Sequence, residues 1–153
     1  MAKEIERKFL VTDDRWRAGA VGVPYRQGYL PTLDGCTVRV REAGGKGFLT
    51  IKGPTRGLSR DEYEYSIPTD DAREMLAGLC GQKVEKLRHL VPHAGLTWEV
   101  DEFTGENAGL VVAEVELPDE AHAVELPAWV GREVTQDPRY SNAALAKRPY
   151  RTW

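Results

Sequence analysis

Hydrophobic and polar residues alternate along most of this chain in short stretches that are separated by turn residues. A period of two is the signature of β-strands with one apolar face and one polar face. The pattern predicts eight strands, in the segments EIERKFLV, YRQGYL, CTVRVRE, GFLTIKG, SRDEYEYSIP, KVEKLRHLVP, LTWEVDEF and GLVVAEVELP. The glycine-rich AGGK between the third and fourth segments suits a tight hairpin.

Helical patterns are few and short. DDAREMLAGL predicts a helix with Thr69 as its N-cap, and weaker signals predict helical turns near residues 13–18 and 141–146. Eight antiparallel strands in a domain spanning residues 1–153 favour a sandwich or a barrel, with the helices outside it. Closure into a barrel would remove the exposed strand edges.

The polar positions of these strands are unusual because they are almost wholly charged. The first and fifth strands mix acids and bases, the third, fourth and sixth are basic, and the seventh and eighth are acidic. An ordinary solvated sheet face is one interpretation. The other is that these faces all turn inward and surround an ionic lumen.

Such a lumen has to be hydrated or hold ions, because desolvated charges without partners cost several kcal/mol each. Carboxylates without His or Cys favour hard divalent cations such as Mg²⁺ or Mn²⁺. Facing arginines and lysines favour phosphate groups. A polyphosphate together with a divalent metal would satisfy both sets.

Composition narrows the class of protein further. The net charge of −3 gives no indication of a nucleic acid or membrane partner. Cys36 and Cys80 lack the spacing of a disulfide framework or zinc site and suit a reducing cytoplasm. The N-terminal region lacks the apolar segment of a signal peptide, and we expect a cytoplasmic protein.

The first strand carries the sequence Glu4-Ile5-Glu6-Arg7-Lys8, which resembles the E-x-E-x-K signature of the CYTH superfamily, the triphosphate tunnel metalloenzymes. The resemblance extends along nearly the whole chain. It includes QGYL, TVRVR, LTIKG, EYEY, EKLRH, WEVDEF, AEVEL and GREVTQDPRYSNAALA, in the order and spacing of short bacterial members. It implies an eight-stranded antiparallel tunnel, open at both ends, that binds a linear triphosphate and one or two divalent metal ions.

The resemblance also implies roles for individual residues. Phosphate-binding positions correspond to Lys8, Arg39, Arg41, Lys52, Lys86, Arg88 and Arg132. Acidic positions that include the metal ligands correspond to Glu4, Glu6, Glu62, Glu64, Asp101, Glu114 and Glu116. Among these acids, Glu4, Glu6, Glu114 and Glu116 are the strongest candidates.

Tyr29 matches a tyrosine to which short members assign a general-base role, with a lysine nearby, for which Lys8 is the candidate. The alternative for Tyr29 is a packing role at a strand end. We expect structural or surface roles for the histidines and packing roles for Trp98, Trp129 and Trp153.

The favoured function is metal-dependent hydrolysis of inorganic tripolyphosphate to pyrophosphate and phosphate. Alternatives on the same fold are a thiamine triphosphatase and a class IV type adenylate cyclase. A non-catalytic polyphosphate-binding module and a β-sandwich interaction domain also remain open. The expected partners are a small-molecule triphosphate and, by analogy with related enzymes, a second copy of the chain as a homodimer.

Overall fold

The computed structural model describes residues 3–33 and 35–153 and is dominated by β-structure. Its strands are β1 (Lys3–Val11), β2 (Val23–Leu30), β3 (Thr37–Ala43), β4 (Lys46–Lys52), β5 (Ser59–Ile67), β6 (Val84–His93), β7 (Leu96–Thr104), β8 (Val111–Glu116) and β9 (Val130–Glu133). The α-helices are α1 (Thr69–Gly78) and α2 (Asn142–Lys147). No helix in these ranges has the length and apolar character needed to cross a bilayer.

The first eight strands form the closed antiparallel barrel that the sequence predicts. Their order is β5-β4-β3-β2-β6-β7-β8-β1, and pairing between β1 and β5 closes the circle. That closure is short, with Glu4 opposite Arg60 at its centre. Beyond it, the short strand β9 pairs with the end of β1.

The turn between β3 and β4 shows why the predicted hairpin forms there. Gly44 and Gly45 both have positive φ angles, of 56° and 79°. A two-residue type I′ turn requires this conformation at both central positions, and glycine adopts it without steric cost. The turn fixes the register that pairs Ala43 with Lys46 and places Arg39 and Arg41 on one face.

Predictions for the minor elements need correction. The helix expected after residue 68 begins at Thr69 itself, with Pro68 at the N-cap, and the Thr69 hydroxyl donates to the Gly45 carbonyl instead. The segment near residues 13–18 forms only one 3₁₀ turn, Arg15–Arg17. Strand β9 was not predicted, because four residues with one apolar side chain show no alternation.

The main hydrophobic core lies outside the barrel wall. Outward side chains of β1, β7 and β8 pack beneath the segments that follow β1 and β8. Trp98 is fully buried there, with its ring centroid 5.5 Å from that of Phe9 and 5.9 Å from that of Trp129. A second, smaller core forms where α1 covers Val40 on the outer face of β3. Apolar packing therefore stabilises the barrel from outside and leaves its interior to polar groups.

One end of the interior is an exception. Leu10, Val84, Phe103 and Val112 continue the inward-facing positions of their strands and pack with Leu145 of α2 in one apolar cluster. The N-terminal residues of α2 line the polar cavity next to this cluster. The lumen is thus packed with apolar groups at the end where α2 sits, whereas the sequence resemblance implied a tunnel open at both ends.

The outer core gives a direct test of this architecture. Trp98→Ala should lower the free energy of unfolding by about 3–5 kcal/mol, because it leaves a large cavity between Phe9 and Trp129. Urea unfolding followed by circular dichroism measures the loss. Leu90→Ala, at a 57% exposed position on the neighbouring strand, is the control and should cost less than about 1 kcal/mol. Equal losses in the two variants would contradict an external core.

Candidate functional site

A polar cavity of about 280 Å³ lies inside the barrel. Because side chains alternate along each strand, one charged face from almost every strand is directed into it. The acidic residues that line it are Glu4, Glu6, Glu62, Glu64, Glu99, Glu114 and Glu116. The basic residues are Lys8, Arg39, Arg41, Lys52, Arg60 and Arg88.

Strand order separates these charges into two walls. The strands that carry the carboxylates, β7, β8, β1 and β5, are consecutive around the barrel, and so are β4, β3, β2 and β6. We call these two halves the acidic wall and the basic wall. Lys8 and Arg60 are the basic side chains that lie within the acidic wall.

Strong ion pairs form along the two seams where the walls meet. At the seam between β4 and β5, the Lys52 ammonium lies 2.8 Å from a Glu4 carboxylate oxygen and 3.3 Å from one of Glu62. At the seam between β6 and β7, Arg88 contacts Asp101 at 2.7 Å and Glu99 at 3.0 Å. These pairs offset the cost of burying charge at the edges of each wall.

The middle of the acidic wall lacks such compensation. Glu6 faces Glu116 across the β1–β8 pairing, and within the described residues neither carboxylate has a cationic partner in ion-pair contact. Burial, with the like charges of Glu114 and Glu4, raises the pKa of Glu6 to about 8. Burial and the charges of Glu4 and Glu62 also raise the pKa of Glu116. This region favours a proton or a cation.

The middle of the basic wall has the opposite character. Arg41 donates from Nε to the neutral Gln27 amide at 2.9 Å, and the described residues provide no carboxylate in ion-pair contact with it. Burial, with the charges of Arg39 and Arg88, lowers the pKa of Arg41 to about 10. The Nε of Arg39 is buried and has no hydrogen-bond partner among the described groups. This region favours an anion.

The carboxylate set fits a hard divalent cation by the chemistry of its donors. It offers oxygen atoms alone, which Mg²⁺ and Mn²⁺ prefer. Glu4 with Glu6, and Glu114 with Glu116, are spaced two residues apart on adjacent strands and face the same cavity. In the described ranges, no three His, Cys, Asp or Glu side chains converge as a ready-made metal site.

Three residues from the predicted set lie outside the cavity lining. Asp101 and Lys86 are fully buried and bound to each other at 2.7 Å, and Asp101 also accepts two hydrogen bonds from Arg88. Although burial opposes it, the charges of Lys86 and Arg88 hold the pKa of Asp101 well below its usual range. Arg132 is exposed on β9, where it donates to the Tyr140 hydroxyl at 3.4 Å.

Asp101 therefore serves as the anchor of a buried ion cluster, with its oxygens already occupied by cations. Sequence reasoning could not distinguish it from the cavity acids, because it shares their alternating position. Conversely, Arg60 and Glu99 line the cavity without having been chosen. The signal for both was present, since each occupies the charged face of its strand.

Tyr29 lines the cavity from β2, and its hydroxyl accepts a hydrogen bond of 2.8 Å from the Gln27 side-chain amide. His89 is buried on the outer face of the barrel, with its ring 4.8 Å from that of Trp16. Trp98 and Trp129 belong to the outer core, and Trp153 makes edge-to-face contacts with Tyr140 and Tyr150. The positions of His89 and of the three tryptophans agree with the structural and packing roles expected for these residues.

Comparison with known proteins places these features in a family. The model of the CYTH domain matches residues 2–150. An inorganic triphosphatase from Acetivibrio thermocellus is 54% identical over 154 residues, covering 100% of this chain and 99% of that protein. An inorganic triphosphatase from Nitrosomonas europaea is 42% identical over 151 residues, covering 94% and 96%. The crystallised inorganic triphosphatase NE1496 is 38% identical, with a TM-score of 0.66 over 95% of each chain.

Ionisation of the Glu6 carboxylate should lower the free energy of unfolding of the protein. Glu6 ionises near pH 4.5 in the unfolded chain and near 8 in the folded one, so the folded state binds the extra proton between these values. Stability therefore falls as pH rises through this window. In metal-free protein held with a chelator, Glu6→Gln should raise the free energy of unfolding at pH 8 by about 1–3 kcal/mol, with a smaller difference at pH 5.

Thermal unfolding at both pH values measures this difference. Glu85→Gln is the matched control, because its side chain is 59% exposed and lies outside the cavity. It should leave the unfolding midpoint almost unchanged at either pH. A Glu6→Gln variant that is no more stable than the wild type at pH 8 would show that the Glu6 charge is compensated.

Proposed function

The chain belongs to the CYTH domain family, and we propose that it hydrolyses a linear triphosphate in its barrel cavity with the help of a divalent metal ion. The favoured substrate is inorganic tripolyphosphate, and the products are pyrophosphate and phosphate. The 54% and 42% identical relatives carry the name inorganic triphosphatase. We place this activity in the cytoplasm, with Mg²⁺ or Mn²⁺ as the metal, and a homodimer belongs to the same proposal.

One observation carries the proposal: the cavity holds uncompensated positive charge on one wall and uncompensated negative charge on the other. A phosphate chain alone would leave Glu6 and Glu116 without a counter-charge, and a metal ion alone would leave Arg41 without one. A metal-bound triphosphate satisfies both walls at once. A simple polyanion-binding module would gain nothing from the acidic wall.

In this arrangement the basic wall binds and aligns the substrate. Arg39 and Arg41 would donate to phosphate oxygens, and the buried Nε–H of Arg39 supplies a donor with no protein partner among the described groups. Lys52 and Arg88 stand at the seams, where they can shift between carboxylate and phosphate oxygens. Lys8 projects from the acidic wall, with its ammonium 3.6 Å from Glu114, and adds a positive charge on that side.

The acidic wall would hold the metal through Glu4, Glu6, Glu114 and Glu116, with Glu62 and Glu64 at its edge. When bound, the metal supplies charge neutralisation and a more acidic water for the attack on phosphorus. Tyr29 and Lys8 are the proposed catalytic groups. Both side chains line the cavity, Lys8 from β1 and Tyr29 from β2. We assign them proton transfer and the stabilisation of developing charge at the reacting phosphate.

Hydrolysis of tripolyphosphate, measured as released phosphate, tests the activity. Glu6→Gln and Arg41→Ala should each lower kcat/KM by at least about 100-fold while the protein remains folded, because each removes charge that the bound complex needs. Glu85→Gln should retain wild-type turnover. Near-wild-type activity in either cavity variant would contradict the proposed site.

A substrate panel separates the alternatives. Tripolyphosphate, ATP, thiamine triphosphate and pyrophosphate are compared, with the products identified. We expect the highest kcat/KM with tripolyphosphate and no cyclic AMP from ATP. Tight binding of tripolyphosphate with no phosphate release would indicate a binding module instead of a hydrolase.

Removal of metal tests the role of the acidic wall. Chelation with EDTA should abolish turnover, and added Mg²⁺ or Mn²⁺ should restore it, because the carboxylates need a counter-charge before a polyanion can bind beside them. Differential scanning fluorimetry with tripolyphosphate, with and without metal, reports binding independently of turnover. Full activity after exhaustive chelation would contradict a metal-dependent mechanism.

A further inference from the structure

Gln27 is an uncharged polar side chain buried in the basic wall. It is fully buried on β2, on the same face as Tyr29 and directly across the β2–β3 pairing from Arg41. Its amide oxygen accepts from Arg41 Nε at 2.9 Å, and its amide nitrogen donates to the Tyr29 hydroxyl at 2.8 Å. One amide therefore connects two groups that belong to the proposed site.

The chemistry of Arg41 fixes the orientation of this amide. A guanidinium group can only donate hydrogen bonds, so the Gln27 atom that faces Arg41 Nε has to be the oxygen. The NH₂ group is then left to face Tyr29. An inverted amide would place two donors against each other in a buried site, which is strongly unfavourable.

This orientation determines what the Tyr29 hydroxyl can do. The phenolic oxygen accepts from Gln27, so its own proton has to point elsewhere. The charged groups near Tyr29 are Lys8, across the lumen on β1, and Arg41 on β3, with Arg39 directly opposite Tyr29 in the β2–β3 pairing. All three are hydrogen-bond donors and cannot accept this proton.

The described residues offer Tyr29 no other hydrogen bond, and its side chain lines the cavity. A phosphate oxygen bound there would be the acceptor that is missing. Helix α2 contributes Asn142 and Ala143 to the cavity lining, and the side-chain oxygen of Asn142 accepts from the Lys86 ammonium at 3.0 Å. The surroundings of Tyr29 thus suit a hydroxyl that donates into the lumen.

We propose that Gln27 is a positioning residue that turns the Tyr29 proton toward the bound substrate, so that Tyr29 acts as a hydrogen-bond donor to a phosphate oxygen. The same amide holds the Arg41 guanidinium in place beside it. This inference rests on the proposed function, since it assigns the donor a phosphate acceptor. It also gives Tyr29 a donor role, where the sequence resemblance implied a general base.

Gln27→Glu is the decisive variant because it changes only one of the two hydrogen bonds that the Gln27 amide makes. The new carboxylate still accepts from Arg41, but it has no N–H to donate and would accept the Tyr29 proton itself. The Tyr29 hydroxyl would then turn away from the substrate. We expect kcat for tripolyphosphate to fall about 100-fold, at the lower end of the effect of removing one oriented donor.

A double-mutant cycle with Tyr29→Phe separates this role from a general effect of the added charge. If Gln27 acts through the Tyr29 proton, Gln27→Glu should cause little further loss of kcat in the Tyr29→Phe background. Repulsion between the new carboxylate and phosphate would persist in that background. Equal losses with and without the Tyr29 hydroxyl would therefore overturn the proposal.

Two further variants complete the test. Gln27→Met removes both hydrogen bonds at similar volume but leaves the Tyr29 proton free, so its kcat should fall less than that of Gln27→Glu. A loss as large as that of Gln27→Glu would contradict a role in proton direction. Gln136→Glu makes the same chemical change at an exposed position and should leave kcat unchanged. Thermal unfolding establishes that each variant is folded.

Failure of the positioning role of Gln27 can be distinguished from failure of the proposed function. If the wild-type protein releases no phosphate from tripolyphosphate, the proposed function fails, whatever Gln27 does. Calorimetric binding of imidotriphosphate then still reports the hydrogen bond. Gln27→Glu should weaken that binding when Tyr29 is present but not in the Tyr29→Phe background. The same loss of binding in both backgrounds would reject the positioning role.

Discussion

The separation of acidic and basic side chains onto opposite walls of one closed barrel is the constraint on which the rest of this structure depends. The short ion pairs inside the barrel lie along the seams, such as Lys52 with Glu4 and Arg88 with Glu99. The centres of the walls keep Glu6 and Arg41 buried near groups of their own sign. The folded protein carries this repulsion, and the metal-bound triphosphate of the proposed function would relieve it on both walls.

An ionic interior changes where the stabilising contacts have to lie. A barrel normally gains stability from apolar side chains that fill its centre. Here the centre holds charged side chains around a polar cavity, and the buried aromatic residues, including Phe9, Trp98 and Trp129, cover the outside of β1, β7 and β8. The segments between strands are therefore structural, since they cover an apolar wall that would otherwise face water.

Uncharged polar side chains fix the positions of the cationic side chains by directional hydrogen bonds. In the proposed function, Coulomb attraction would bring a phosphate chain to the basic wall but would not define the position of each donor. Gln27, Thr50 and Asn142 are uncharged and hold Arg41, Arg39 and Lys86 by directional hydrogen bonds. Buried hydrogen bonds of this kind restrict side chains to one geometry, which positions the cationic groups before the ligand arrives.

The sequence by itself determined the strands, the charged faces and most of the cavity residues. Alternation is a local property, so eight strands and the inward positions of residues such as Glu6 and Arg39 could be predicted from spacing alone. Even the separation into acidic and basic strands was visible. The motifs then indicated the family, and with it the choice of a barrel over a sandwich.

Only the tertiary structure decided which of these charged side chains line the cavity. Asp101 and Glu99 occupy equivalent positions on β7, yet Asp101 is enclosed by Lys86 and Arg88, while Glu99 lines the cavity. Arg132 lies outside on a strand too short to show a pattern, and α2 packs against one end of the lumen. Alternation gives the face of a strand on which a side chain lies, but its partner depends on strand order and register across the barrel. Those are set by contacts between residues far apart in the chain, which is why local spacing could not reveal them.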